Sequence, residues 1–235
     1  MLLYIVRHGD PDYTTDTLTE KGKIQAELVG KRLAEAGIDR VFSSPLGRAR
    51  ETAEPLCRLL GLDCTVEEWT REIDVEHMMT ELGGTYTTIS RVQNVHFRER
   101  GWRNLSYEEG FDSVGMCDTD MKAVYAYLTE QGDRFLERLG YRKENENYRI
   151  LWDNDEKIAL FCHGAMGRAW ISALLGVPLH VMWASFNYTH TGVTVLQFKN
   201  HASGVTAPKC LCYSDMSHLY VSGAENMIYN NTTPL

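Results

Sequence analysis

The 235-residue chain is short of proline, with six residues, and short of positive charge, with 24 Lys and Arg against 32 Asp and Glu for a formal net charge of −8. That balance argues against a general nucleic-acid or anionic-membrane binder, which needs a basic surface. Long hydrophobic runs are missing too. Nothing approaches the roughly 20 apolar residues of a membrane-spanning helix. The opening run Leu2-Leu3-Tyr4-Ile5-Val6 is closed at once by Arg7, too short for the core of a signal peptide. The six cysteines (Cys57, Cys64, Cys117, Cys162, Cys210, Cys212) contain no C-x-x-C pair. Without a secretory signal, reduced thiols are expected rather than a disulfide framework. His77, His180, His190, His201 and His218 have no metal-ligand spacing among themselves. These absences set the expectation of a cytoplasmic protein with no membrane or nucleic-acid partner, no metal site and no cofactor; a homodimer stays open.

What the chain does have is alternation. Apolar, partly β-branched runs at residues 2–6, 40–44, 64–69, 157–162, 192–198 and 209–213 read as strands. Cys210-x-Cys212 then places both thiols on one strand face. Between the first two runs, Ile24, Leu28, Val29, Leu33 and Ala36 recur at helical spacing. Thr19 or Thr17 is placed to cap that helix, Thr17-x-x-Glu20 fitting a capping box, and Gly37 to stop it. Ser44-Pro45 reads as an N-cap and first helical residue, followed by a stripe ending at Gly61 and kinked at Pro55. Further helices are expected at 166–175 and 179–186. Strands alternating with helices predict an α/β fold, a mainly parallel central sheet with helices on both faces. Residues 74–155 break the rhythm, with one long helix near 121–139 and a polar turn at 142–147. They are read as an inserted, mostly helical cap within a single domain spanning 1–235.

The chemistry gathers at strand ends. Arg7-His8-Gly9 follows the first strand, where open α/β sheets bind ligands. Arg offers planar bidentate donation to anionic oxygens, His serves as nucleophile or acid/base, and Gly allows close backbone approach. His163-Gly164 repeats the arrangement after the 157–162 strand, with a helix start whose backbone N–H groups favour a phosphate. Arg48 lies in the first turn of the helix after the second strand. Each feature alone is weak; two Arg-bearing and two His-bearing elements at one sheet edge are not.

With these residues in order, the sequence resembles the histidine phosphatase superfamily, the phosphoglycerate-mutase-like, two-histidine phosphatases. The matching features are Arg7-His8-Gly9, Leu18-Thr-Glu-Lys-Gly22 with Gln25-Ala26, Ser44-Pro-Leu-Gly-Arg48-Ala with Thr52-Ala53, His163-Gly164 and the strand Thr194-Val-Leu-Gln-Phe198. The resemblance covers residues 1–73 and 157–198 well and the insertion poorly. It implies that His8 is the phosphoryl-accepting nucleophile, that Arg7, Arg48 and His163 hold the phosphoryl oxygens, and that Glu72 is the acid/base carboxylate. Asp10 stands where the family more often has Glu or Gln, and Asp74-Val-Glu-His-Met78 stands in place of a Gly-x-Trp-Glu-Gly type segment. Glu76 and Glu81 therefore remain rivals to Glu72. His190 sits where the family often places pocket-edge polar residues and is a candidate substrate contact, with Gly9 and Gly164.

The expected activity is metal-independent hydrolysis of a small phosphorylated metabolite through phospho-His8, the two arginines neutralising charge, His163 donating as an imidazolium, and the carboxyl carrying a raised pKa. A phosphoglycerate-type mutase and a non-catalytic phospho-ligand-binding module are the alternatives. The basic stretch Arg91, His96, Arg98, Arg100 and Arg103 is either a second anion site or a solvated face. Trp102 and Tyr107 are read as cap core, with stacking on a substrate as the alternative.

Overall fold

The computed structural model describes residues 1–73, 94–112 and 120–222. Glu76, Glu81, Arg91, Cys117 and the side chain of His96 lie outside the described residues. Along the chain run β1 (Leu2–Arg7), the short β2 (Pro11–Asp12) and β3 (Thr17–Leu18), α1 (Glu20–Ala36), β4 (Arg40–Ser43), α2 (Gly47–Leu60) and β5 (Cys64–Val66). They are followed by α3 (Asn94–Glu99), α4 (Tyr107–Phe111), α5 (Met121–Arg138), β6 (Tyr141–Glu144), β7 (Asn147–Ile150) and β8 (Lys157–Cys162). The chain continues through α6 (Gly164–Leu175), α7 (Leu179–Ser185), β9 (Val193–Gln197), β10 (Val205–Thr206), β11 (Lys209–Asp215) and α8 (Ser217–Val221).

Among the described residues, six strands form the central sheet in the order β11-β9-β1-β8-β4-β5. Strands β1, β8, β4 and β5 pair in parallel, and β9 runs antiparallel to both β1 and β11. The sheet is thus mainly parallel with one reversed strand. Its helices cover both faces: α1 and α2 pack with Val6, Val41, Ala159 and Phe161, while α5, α6 and α7 pack with Leu3, Ile5, Leu160 and Leu196. The alternation of Ile5 and Val6 between the two faces is the period-2 rule of a strand covered on both sides. Burying each such aliphatic side chain stabilises the fold by about 1.5–3 kcal/mol. Among the described residues, no helix is long and apolar enough to cross a membrane.

Helix α5 joins the sheet's second face: Phe135 meets Phe42 of β4 edge-on at 5.0 Å and Trp170 of α6 at 5.9 Å. Gly132 makes room for this contact, because a Cβ there would sit 2.2 Å from Trp170 Nε1.

Several local expectations change. Thr19 caps α1, accepting from Gly22 N at 3.0 Å, whereas Thr17 is drawn into β3 opposite Asp12. Ser44 is not the cap of α2; Leu46 occupies that position without a side-chain bond, and the Ser44 hydroxyl accepts from Leu46 N at 3.3 Å, short of the helix's own first amides. Pro55 lies inside α2 without ending it. The 64–69 strand stops at Val66, since Trp69 turns inward to donate to Glu67 at 2.8 Å and to pack on Trp170. Residues 142–147 are not a plain loop: β6 and β7 form a hairpin around Asn145 (φ 54°), and Tyr141 and Tyr148 anchor it in the core while its charged residues face out. Register shifts in β11 between Cys210 and Cys212 and again before Asp215 turn the two thiols toward opposite faces.

Candidate active site

Strand order brings the predicted residues together. Arg7 at the end of β1 pairs with Cys162 at the end of β8, so the next residues, His8 and His163, emerge side by side with ring centroids 5.2 Å apart. On the far side of β8, β4 ends at Ser43 and leads through Ser44 into α2, which carries Arg48 in its first turn. On the other flank, the loop entering β9 places His190 5.4 Å from His8. The site lies at the carboxyl ends of the parallel strands, outside the sheet edge.

His8 is buried, and its Nδ1 lies 2.7 Å from the carbonyl oxygen of Gly9. A carbonyl only accepts, so Nδ1 carries the proton and Nε2 presents its lone pair. Burial, then the charge of Arg7 and the proximity of His163, hold the imidazole well below its usual pKa, and it is neutral at pH 7. Gly9 N donates to Thr52 Oγ1 at 2.9 Å, and Thr52 donates to the Arg48 carbonyl at 2.7 Å, tying the loop after β1 to α2. A Cβ on Gly9 would meet the Gly22 carbonyl oxygen at 2.8 Å, so the close approach that glycine permits here is by α1.

His163 differs in its partner. Its Nε2 lies 2.7 Å from Ser44 Oγ, and its buried Nδ1 has no hydrogen-bond partner. Burial, with Arg48 and then Arg7 nearby, lowers its pKa well below the ordinary value. The expected imidazolium is therefore corrected: in the free protein burial, with two guanidinium charges, keeps His163 neutral.

Arg7 donates from Nη1 to the Tyr188 carbonyl, and Arg48 pairs through Nη1 with Asp16, whose other oxygen accepts from Gly47 N at 2.7 Å. The Nε atoms of both arginines are buried without a partner. Buried polar atoms without a partner are exceptions in folded proteins. Here Nε of Arg7, Nε of Arg48 and Nδ1 of His163 leave capacity for an anion's oxygens.

Glu72 overturns one expectation. The first amides of α6 are not free donors: Gly164 N and Ala165 N bond Glu72 Oε2 at 3.0 and 3.3 Å, and Met166 N bonds Oε1 at 2.9 Å. A carboxylate at a helix start meets both the unpaired N–H groups and the positive end of the dipole.

His190 Nδ1 lies 3.4 Å from Asp10 Oδ1, and burial lowers its pKa to about 4. The bond to His190 and a 2.8 Å bond from Thr19 Oγ1 bring Asp10 down to about 2, while its backbone N–H reaches Gln25 Oε1 at 2.8 Å. The basic stretch is described only in part: Arg98 and Arg103 are exposed, and Arg100 lies over Trp102. Trp102 packs on Phe97, and Tyr107 on Phe111 and Tyr125. Sequence reasoning missed Ser44, Thr52, Gln25 and Asp16 as contacts of the site. Ser44 had a signal, standing one residue beyond a strand end beside the candidate arginine helix.

Residues 3–209 match the family model described as the histidine phosphatase superfamily (branch 1). A probable phosphoglycerate mutase GpmB of Salmonella arizonae is 31% identical over 110 residues, covering 43% of this chain and 47% of that protein. The chain thus spans about half the length of the curated relatives it matches. A phosphoserine phosphatase mutant from Entamoeba histolytica, in complex with phosphoserine, superposes with a TM-score of 0.62 at 22% identity, covering 93% of this chain and 98% of that one. A mycobacterial glucosyl-3-phosphoglycerate phosphatase gives 0.59 at 20% identity, with 91% and 98% covered. At these identities the structural likeness speaks for the fold.

Proposed function

The chain belongs to the histidine phosphatase superfamily, branch 1, and on that premise we propose that it hydrolyses a small phosphorylated metabolite through a phosphohistidine on His8. The observation that carries this reading is the His8 tautomer: Nδ1 is tied to Gly9, leaving a neutral Nε2 as nucleophile beside His163. Nε2 attacks phosphorus in line with the ester oxygen, the P–O bond breaks, and the phosphoryl group passes to nitrogen. Arg7 and Arg48 neutralise the charge spread over the equatorial oxygens. Ser44 donates to His163 Nε2, so that Nδ1–H of His163 donates to a phosphoryl oxygen. Water then attacks the phosphohistidine and releases inorganic phosphate.

Of the three candidate carboxyls, Glu72 alone lies within the described residues, and its tie to α6 holds it beside His163. We assign it the proton transfer to the leaving oxygen and from the attacking water. One oxygen first takes up a solvent proton, giving up an amide bond; that proton passes to the leaving oxygen and is replaced from the attacking water. His190, held by Asp10, lies at the rim to contact the substrate. Residues 74–155 are assigned as the insertion, within one domain, that selects the ester.

The test is a quenched reaction followed for an acid-labile phosphoryl adduct and for free phosphate, over sugar phosphates, glycerate phosphates, nucleotides and phosphoamino acids. An adduct and phosphate release that both vanish in His8→Ala are expected. If neither forms with any ester, a phospho-ligand-binding module is the better description. The resemblance to a probable phosphoglycerate mutase favours one second reading: isomer exchange on 3-phosphoglycerate without net hydrolysis would identify a mutase instead.

A further inference from the structure

On the α1/α2 face, away from His8, two thiols stand together. Cys57 in the last turn of α2 and Cys64 in β5 both pack against the Val41–Leu56 side of the core. Both also line one surface cavity of about 450 Å³, with Gly47, Arg50, Glu51, Glu54 and Val66 around it. The turn between them is made by Gly61 at φ 67°, with open space around it. Two half-buried thiols that line one open cavity, on a helix end and the strand that follows it, are the arrangement in which a peroxide yields a disulfide within one chain. We propose that Cys57 and Cys64 form a reversible dithiol–disulfide site for a peroxide oxidant.

The two thiols have different parts. The neighbouring Cys64 thiol lowers the pKa of Cys57, whereas Cys57 and burial raise that of Cys64. Among the other described cysteines, burial raises Cys162, Cys210 and Cys212. Since the thiolate is the nucleophile, Cys57 reacts first. Its sulfur attacks a peroxide oxygen; the O–O bond breaks, an S–O bond forms, and hydroxide leaves, giving a sulfenic acid. The sulfur of Cys64 then attacks that of Cys57. The S–S bond forms as the S–O bond breaks, and the Cys64 proton leaves with the departing oxygen as water. Two thiols and one peroxide thus give one disulfide and two waters. The bond would pin the end of the helix that carries Arg48 and Thr52 to the strand that leads toward Glu72.

This inference does not depend on the proposed activity, because its readout is the bond itself. Arg58 separates the two cysteines into different tryptic peptides, residues 51–58 and 59–71. The folded protein is treated with hydrogen peroxide, unfolded, alkylated and digested without reductant. The expected result is a linked 51–58/59–71 pair, a fall from six to four free thiols, a monomer on a non-reducing gel, and full reversal by dithiothreitol. In Cys64→Ser, whose fold is checked by circular dichroism, Cys57 is expected to stop at a sulfenic acid trapped by dimedone. Six free thiols after peroxide, a link only between chains, or a sulfinic acid on Cys57 with Cys64 untouched would each overturn the proposal.

Discussion

At the end of β1, His8 gives its Nδ1 to the carbonyl of its own neighbour Gly9; at the end of β8, His163 reaches across to the hydroxyl of Ser44 with Nε2. Both rings are buried, both follow a parallel strand, and both are held neutral by burial and by guanidinium charge. The partner is what separates them. A carbonyl fixes one tautomer and leaves a lone pair, as a nucleophile requires, whereas a hydroxyl can donate or accept and leaves the ring free to be a donor.

Four experiments press on that difference. The largest effect is expected from Glu72→Gln, which keeps an acceptor for the α6 amides but cannot carry a proton. Turnover should fall about 10²–10⁴-fold, measured as steady-state phosphate release, and the loss should shrink for esters with good leaving groups. Equal loss for all esters would make Glu72 an anchor of α6 alone. Next, His163→Ala should lower turnover about 10²–10³-fold yet still allow a phosphoryl adduct on His8 in quenched samples; an absent adduct would give the two histidines one shared role. Ser44→Ala removes the partner of His163 and leaves His8 untouched. It should cost about 1–3 kcal/mol of stability in urea unfolding and about tenfold in turnover, the equivalent of roughly 1.4 kcal/mol.

The last effect is on stability against pH and not on turnover. His190 and His218 are lowered to about 4 by burial, and His8 and His163 also lie well below the usual value. Unfolded imidazoles take up protons as the pH falls through about 6.5, while these folded ones do not. The unfolded state then binds more protons, and stability falls as the pH is lowered from 7 toward 5. Differential scanning calorimetry should give a falling melting temperature over that range, with a shallower slope in His8→Ala and in His163→Ala. Asp10, lowered to about 2, keeps its contribution throughout and loses it only below about pH 4. A flat melting temperature between pH 7 and 5 would contradict the neutral imidazoles.

Much of this could be read from the chain. The inner strands β9, β1, β8 and β4 are apolar and bounded, and burial on both faces leaves little room for another reading, whereas β5 and β11 at the margins are half exposed. Arg7, His8, Arg48 and His163 were legible because each follows a strand or opens a helix, and strand ends converge in a parallel sheet. Contacts between distant residues were less legible. That Ser44 would meet His163, or that Glu72 would take the first amides of α6, depends on the order β8-β4-β5, which no local pattern carries. The β6–β7 hairpin was hidden for another reason. Its fully buried residues are Tyr141 and Tyr148, with Ile150 partly buried beside them, and the charged residues between them look like loop.

The two margins of the central sheet bear on assembly. One is β5, three residues long; the other is β11, whose register shifts twice between Cys210 and Asp215. A second molecule seeking to extend the ladder would find too few hydrogen-bonding groups at the first and an interrupted row at the second. Growth of the sheet from chain to chain is thereby disfavoured at both ends. Among the described residues, a homodimer would find helix faces and loops better suited than these strand edges, leaving the six-stranded ladder as a closed unit.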